Sequence, residues 1–373
     1  MNQDPFQEYM RASEPDKREK SYAWRTGIGL QAVDGLKTSD YLLHTAVRNI
    51  EGEITFQEAN DLLQSYYEAH PSSDFEDRTE EADKVSIRIA ELLSEKAFSF
   101  TPQEYISIHR KLFAGIYSHA GRLRDYNITK QEWVLDGASV LYGSATELRA
   151  TLDYDFSEER NFSYKGLSLD EMIHHLAVFL SRLWQIHIFG EGNTRVTAVF
   201  FIKYLRTLGL EVTNDVFAEN AWYFRNALVW ANYNDLKKGI HETTAFLELF
   251  LRNLLLNEHH PLRNQTLHIA WRPDEAIKPD IETEKPDIGK TKPDIGAAKP
   301  DIMAEFLPKT AGNIRKLREA FPEGAIFGRT EVMKVLGLKT SGASELLMKL
   351  RKRGIVEAVS GLGKGKYRFI LFS

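Results

Sequence analysis

The chain has 373 residues, 43% hydrophobic and 27% charged, with a formal net charge of −5; this is the composition of a globular protein of two or three domains, not of a disordered, fibrous or membrane chain. It has no cysteine, which excludes disulfides and thiolate metal sites and suits a reducing compartment. Residues 1–20 lack a signal-type apolar core and no run of about 18 apolar residues follows, so the expectation is a soluble, cytoplasmic protein without a membrane partner.

Ahead of the linker, residues 1 to about 265 read as mainly α. The first 95 are expected to form an N-terminal helical region. Thr101-Pro102-Gln103-Glu104 is a capping box with proline at the first helical position. Tyr105, Ile108, Leu112 and Phe113 follow at helical spacing. Within residues 128–142, Trp133-Val134-Leu135 and Val140-Leu141-Tyr142 flank Asp136-Gly137, a pattern that predicts a small β-hairpin. Ser168-Leu169-Asp170-Glu171 is a second capping box. It opens a strongly apolar helix through Met172, Leu176, Phe179, Leu180 and Leu183. A further helix from about Asn193 to Leu208 is apolar over much of its circumference and is therefore expected to be central.

The sequence Lys-Pro-Asp-Ile recurs at Lys278, Lys285, Lys292 and Lys299, every seven residues. A proline in each unit excludes a continuous helix, so residues 272–307 read as an extended linker. Beyond it the charge changes sign. Met303–Ser373 holds fourteen basic and six acidic residues, a net of +8, which leaves −13 to the rest. Helices over 311–320, 329–336 and 341–353, then strands over 355–359 and 366–371, describe a winged helix-turn-helix in a domain spanning 308–373. Its basic residues make DNA a candidate partner, with a protein-interaction module as the competing reading.

The residues that carry chemistry lie between the two apolar helices, from His187 to Arg195. Free N–H groups at a helix start, with the helix dipole behind them, suit phosphate. Gly192 lets the backbone approach a ligand closely. Arg195 can add charge-assisted bonds to phosphate oxygens. Glu191 is the kind of oxygen ligand that Mg²⁺ prefers beside nucleotide phosphates. His187 can take a proton from an attacking hydroxyl. Taken singly, each residue has a structural explanation; their combination within nine positions points to phosphoryl or nucleotidyl transfer. The adjacent pairs His174-His175 and His259-His260 lack the spacing that puts two metal ligands on one helix face.

This stretch resembles the Fic (filamentation induced by cAMP) family signature, H-P-F-x-[DE]-G-N-[GK]-R-x-x-R. His187, Phe189, Glu191, Gly192, Asn193 and Arg195 match it in register. Ile108 to Phe113 with Ala120, Gly121 and Arg124, and Arg225 to Tyr233, also resemble that family, so the likeness covers roughly residues 20 to 260. It implies a Fic-type helical core over 96–271 with the predicted hairpin as a target-holding flap. It also implies an adenylyltransferase that moves AMP from ATP to a Ser, Thr or Tyr hydroxyl of a target protein. His187 would be the base, Glu191 the Mg²⁺ ligand, and Gly192, Asn193, Thr194 and Arg195 the nucleotide-binding residues. Three positions depart from the signature: Ile188 for proline, Thr194 for the small or basic residue, and Ala198 for the second arginine. In the family an inhibitory helix ends [ST]-x-x-x-E-[GN]; Glu51-Gly52 fits its end, although Val47 stands at the Ser/Thr position, so Glu51 is expected to obstruct the site. Phosphotransfer or another nucleotidyl transfer, and a DNA-binding regulator with an inactive Fic-like domain, are the alternatives. The oligomeric state is open, a homodimer included.

Overall fold

The computed structural model describes residues 14–70, 78–212 and 215–271 with Phe6 and Tyr9, and parts of 316–369. The predicted linker at 272–307 lies outside the described residues. The chain divides into two compact units, Met1–Ile295 and Gly296–Ser373.

In the first unit the described helices are α1 (Pro15–Gly29), α2 (Asp40–Glu51), α3 (Phe56–Ala69), α4 (Thr79–Ser94), α5 (Pro102–Phe113), α6 (Leu148–Asn161), α7 (Leu169–Ile186), α8 (Asn193–Thr207), α9 (Val216–Trp230), α10 (Ala245–Leu256) and the short α11 (Asn264–Leu267). The expected starts hold. Thr101 accepts the Glu104 N–H with Pro102 in the first turn of α5, and Ser168 and Glu171 form a complete capping box on α7. Every residue of α8 from Asn193 to Leu205 is buried, as its all-round apolar sequence requires. It packs on α4, α5 and α7. One contiguous core joins α1–α4 to the later helices. Helix α1 approaches α4 closely, so that a Cβ on Gly27 would stand 2.6 Å from the Ser86 carbonyl oxygen; only glycine fits that contact. Among the described residues no helix is long and apolar enough to cross a membrane.

The predicted hairpin at 128–142 is corrected. The chain does reverse at Asp136 and Gly137, both at positive φ, and the Glu132 N–H donates to the Ala138 carbonyl at 3.0 Å. No strands form there; Trp133–Leu135 is one turn of 3₁₀ helix. Val134 and Leu135 are adjacent and both buried, unlike the alternation of a strand with one face in water.

The second unit has strands β1 (Phe327–Gly328), β2 (Val356–Ala358) and β3 (Lys366–Phe369) in antiparallel order β1-β3-β2, with helix α12 (Arg329–Leu336). The predicted helix 329–336 and the pairing of the two predicted strands are present; β1 is an addition too short to leave a periodic signal. Leu317, Phe327, Val332, Leu346, Leu350 and Val356 form its core. The Lys366–Glu331 ion pair at 3.1 Å ties β3 to α12. The segment 359–365 between β2 and β3 lies outside the described residues.

Candidate active site

The loop between α7 and α8 is held from both sides. At the end of α7, His187 turns left-handed (φ 51°) and its N–H donates to the Trp184 carbonyl. The last carbonyls of a helix lack intrahelical donors, and Arg124 supplies them. Its Nε donates to the His187 carbonyl at 2.7 Å, Nη2 to Ile186 at 3.3 Å and to Gly143, and Nη1 to Tyr126 at 2.5 Å. At the other end, Asn193 Oδ1 accepts the Phe189 N–H at 3.0 Å and its Nδ2 donates to the Phe189 carbonyl at 2.8 Å. This two-point clamp closes the loop over the Phe189 ring, which stacks on His109 at 3.7 Å. His109 Nδ1 accepts the Gly121 N–H at 2.8 Å, so the proton sits on Nε2, which faces the Glu191 carbonyl at 3.2 Å.

His187 is 3% exposed, its ring between Tyr142 and Trp184. Nδ1 lies 3.3 Å from the Trp184 carbonyl, and Nε2 has no hydrogen-bond partner among the described residues. A carbonyl can only accept, so Nδ1 carries the proton and Nε2 presents a lone pair. Burial, aided by the charge of Lys130, holds the ring's pKa well below its ordinary value. The imidazole is therefore neutral at pH 7 and competent to accept a proton. Tyr142, which covers the ring, donates to Glu132 at 2.8 Å, and Glu132 pairs with Arg225 at 2.6 Å.

Burial also pushes His109 down to about 3. The unfolded chain protonates both rings near pH 6.5 while the folded chain does not, so acidification favours unfolding. Between about pH 6.5 and about pH 5.5 the two histidines together should remove about 2 kcal/mol of stability. Urea unfolding at the two pH values checks this; an unchanged midpoint would contradict rings held neutral by burial.

Glu191 is half-buried and its carboxylate makes no hydrogen bond or ion pair among the described residues. Burial raises its pKa, against the nearby positive charge of Lys130. Gly192 opens α8 at φ 73°, and the N–H groups of Asn193, Thr194 and Arg195 have no acceptor among the described residues, since the helix ladder begins with Val196 donating to Gly192. One unpaired carboxylate beside three helix-terminal donors fits Mg²⁺ bound with substrate phosphates, because that ion takes one or two carboxylates and keeps phosphate and water as its other ligands.

The remaining expected contacts differ. Asn193 spends its side chain on the loop clamp. Thr194 Oγ1 accepts from Trp184 Nε1 at 3.0 Å and so is turned back toward α7. Arg195 is fully buried and occupied. Nη1 donates to Gln31 at 2.9 Å, Nη2 to Glu81 at 2.9 Å and to Tyr117 at 3.3 Å, and Nε lies 2.8 Å from Asp34. Burial opposes its charge, but Asp34, Tyr117 and Glu81 outweigh that cost. Arg195 is thus a strut between α8, α4 and the turn after α1, and phosphate would have to displace an acid to reach it.

Glu51 also needs correction. It is exposed at the end of α2, where its carboxylate accepts from Lys17 at 2.9 Å and from Tyr9. It makes none of the contacts to Arg195. Ala198 offers a methyl group where a cation would draw an acid inward, and Gly52 ends the helix at φ 81°. The acids that meet Arg195 are Asp34 and Glu81, which no sequence pattern marks. No pattern marks Lys130 either; it lies in the segment expected to hold the hairpin, ahead of its first β-like run, yet its charge acts on His187, Glu191 and Asp34.

Comparison with known proteins matches residues 99–205 to the Fic/DOC family. Among solved structures, a Fic family protein from Desulfovibrio desulfuricans G20 is similar at 13% identity and a TM-score of 0.44, over 96% of this chain and 89% of that one. No curated protein matches the chain. The matched stretch begins just before α5, ends within α8 and contains the whole loop from His187 to Arg195, so residues 99–205 of this chain are a Fic/DOC family domain.

Proposed function

We propose that the Fic domain is a protein adenylyltransferase, moving AMP from ATP to a Ser, Thr or Tyr hydroxyl of a target protein. The observation that carries this reading is the buried, neutral His187, whose Nε2 has no partner among the described residues, a few residues before a row of helix N-terminal donors that have no acceptor among them. In the transfer, Nε2 takes the hydroxyl proton and the oxygen attacks the α-phosphorus. The bond from that phosphorus to the α–β bridging oxygen breaks, and pyrophosphate leaves. The N–H groups of residues 193–195 would hold the phosphate oxygens, and Arg124 keeps the carbonyl frame behind His187 rigid. Held by Glu191 and the phosphates, Mg²⁺ would neutralise charge on the leaving group.

A second reading has its own support: Arg195 is fully engaged by protein groups and Ala198 supplies no second guanidinium. On that reading the domain binds nucleotide without transfer, and the basic C-terminal unit makes the chain a DNA-binding regulator. Incubation with α-labelled or γ-labelled ATP and Mg²⁺ separates the cases. Protein-bound label from the α position supports adenylyl transfer. Label from γ alone means phosphotransfer and overturns it. No label from either, with duplex DNA bound in a salt-dependent manner, favours the regulator.

A further inference from the structure

The segment from Arg124 to Glu132 runs beside the active-site loop with a regular alternation. Arg124, Tyr126, Ile128, Lys130 and Glu132 are buried or half-buried, while Asp125, Asn127, Thr129 and Gln131 are exposed. A period of two is that of an extended chain with one face turned inward. Four of the five inward residues are already fixed. Arg124 holds the carbonyls of Ile186 and His187. Tyr126 approaches the loop so closely that a Cβ on Gly190 would stand 2.5 Å from its hydroxyl oxygen. Ile128 joins the core, and Glu132 is taken by Tyr142 and Arg225.

Lys130 is the exception. It is half-buried on the inward face, and its ammonium makes no hydrogen bond or ion pair with any of the described residues. Of the charges that act on His187 and on Glu191, that of Lys130 has the largest effect on each, which places it near both. It also acts on Asp34, whose carboxylate is taken by Arg195. A lysine on an outward position would simply be solvated; this one is turned toward the site by its register between Ile128 and Glu132. The site has need of a cation. Arg195 is occupied by protein groups and Ala198 carries no charge. A lysine held close to a base and a carboxylate, yet paired with neither, is free to serve an anion that arrives from outside.

We propose that the Lys130 ammonium donates to a non-bridging oxygen of the α-phosphate of ATP, supplying the positive charge that Arg195 and Ala198 do not. The assignment rests on the nucleotide chemistry proposed above. It selects the α-phosphate because that group must come within reach of both the base, His187, and the ion held by Glu191. Calorimetry of the full-length protein with ATP and Mg²⁺ at constant ionic strength gives an equilibrium readout beside the transfer of α-label. Lys130→Gln should weaken ATP binding about tenfold to a hundredfold, the worth of one charge-assisted hydrogen bond, with the thermal midpoint unchanged. Lys130→Arg, which restores the charge, should recover most of the loss. Equal ATP affinity in K130Q and the wild type, or equal weakening in K130Q and K130R, overturns the assignment, while α-label transfer by the wild type would still uphold the adenylyltransferase. Binding that weakens in K130Q and returns in K130R, with no α-label transferred by the wild type, supports the assignment and overturns the transferase. A wild type that binds no ATP overturns both.

Discussion

In the His187→Ala protein, transfer of label from the α-phosphate of ATP should fall by about 10²–10⁴, the usual contribution of a positioned general base, while the fold survives. Among the described residues the ring makes one long hydrogen bond, 3.3 Å from Nδ1 to the Trp184 carbonyl, and the carbonyl frame around it is held by Arg124 rather than by the imidazole. Circular dichroism and the thermal midpoint therefore test folding while the label tests chemistry. The wild-type rate should also stay level as pH falls from about 8 to about 6.5, because burial keeps the ring unprotonated throughout that window. Undiminished transfer in the alanine variant would show that the proton goes elsewhere, and the role given to His187 would have to be withdrawn.

Replacing Gly192 by alanine should be the most destabilising small substitution in the loop. Its φ of 73° is a left-handed conformation, which costs a residue with a Cβ roughly 1–2 kcal/mol. The new methyl would also stand 2.3 Å from Phe113 Cε2. Phe113 cannot easily yield, since it is fully buried, stacked on Tyr117 at 4.8 Å and covered by the Arg195 guanidinium at 4.8 Å. Overpacking of that kind costs about 1–3 kcal/mol, so the total is roughly 2–5 kcal/mol. Denaturant unfolding measures it. Adding Phe113→Leu to the G192A protein should recover part of the loss, and the interaction energy of the double-mutant cycle isolates the clash. A G192A protein as stable as the wild type would mean that the loop does not take this conformation in solution.

The helices around the site were legible because each carries its own local instructions. Thr101 and Ser168 announce the starts of α5 and α7 through side chains that reach three residues ahead. The unbroken apolar run of α8 announces a helix with no solvent face. The letters from His187 to Arg195 announce the loop because part of its geometry is made by near neighbours, although Arg124 and His109 brace it from far along the chain. Asn193 clamps Phe189 four positions back, and Trp184 caps Thr194 ten positions ahead. The hairpin failed for a related reason: an alternating pattern with Asp-Gly is a local signal, and the anchoring of Glu132 to Arg225 and the burial of Val134 and Leu135 overrode it.

Arg195 and Glu51 show the limit. Sequence order sets Arg195 in the first turn of α8 and Glu51 before a glycine, and both placements are correct. Whether each charge meets phosphate, acid or water depends on which distant segments pack beside it. Glu81 reaches Arg195 from 114 positions away and Gln31 from 164, while Glu51 is claimed at the surface by Lys17. Pairing between buried charges is decided by contacts remote along the chain, which no spacing rule encodes. The residue types that do chemistry, and the helices that carry them, can be read from local order. Their partners, and hence the neutrality of His187 and the occupation of Arg195, arise only when those helices close around a common core and exclude water.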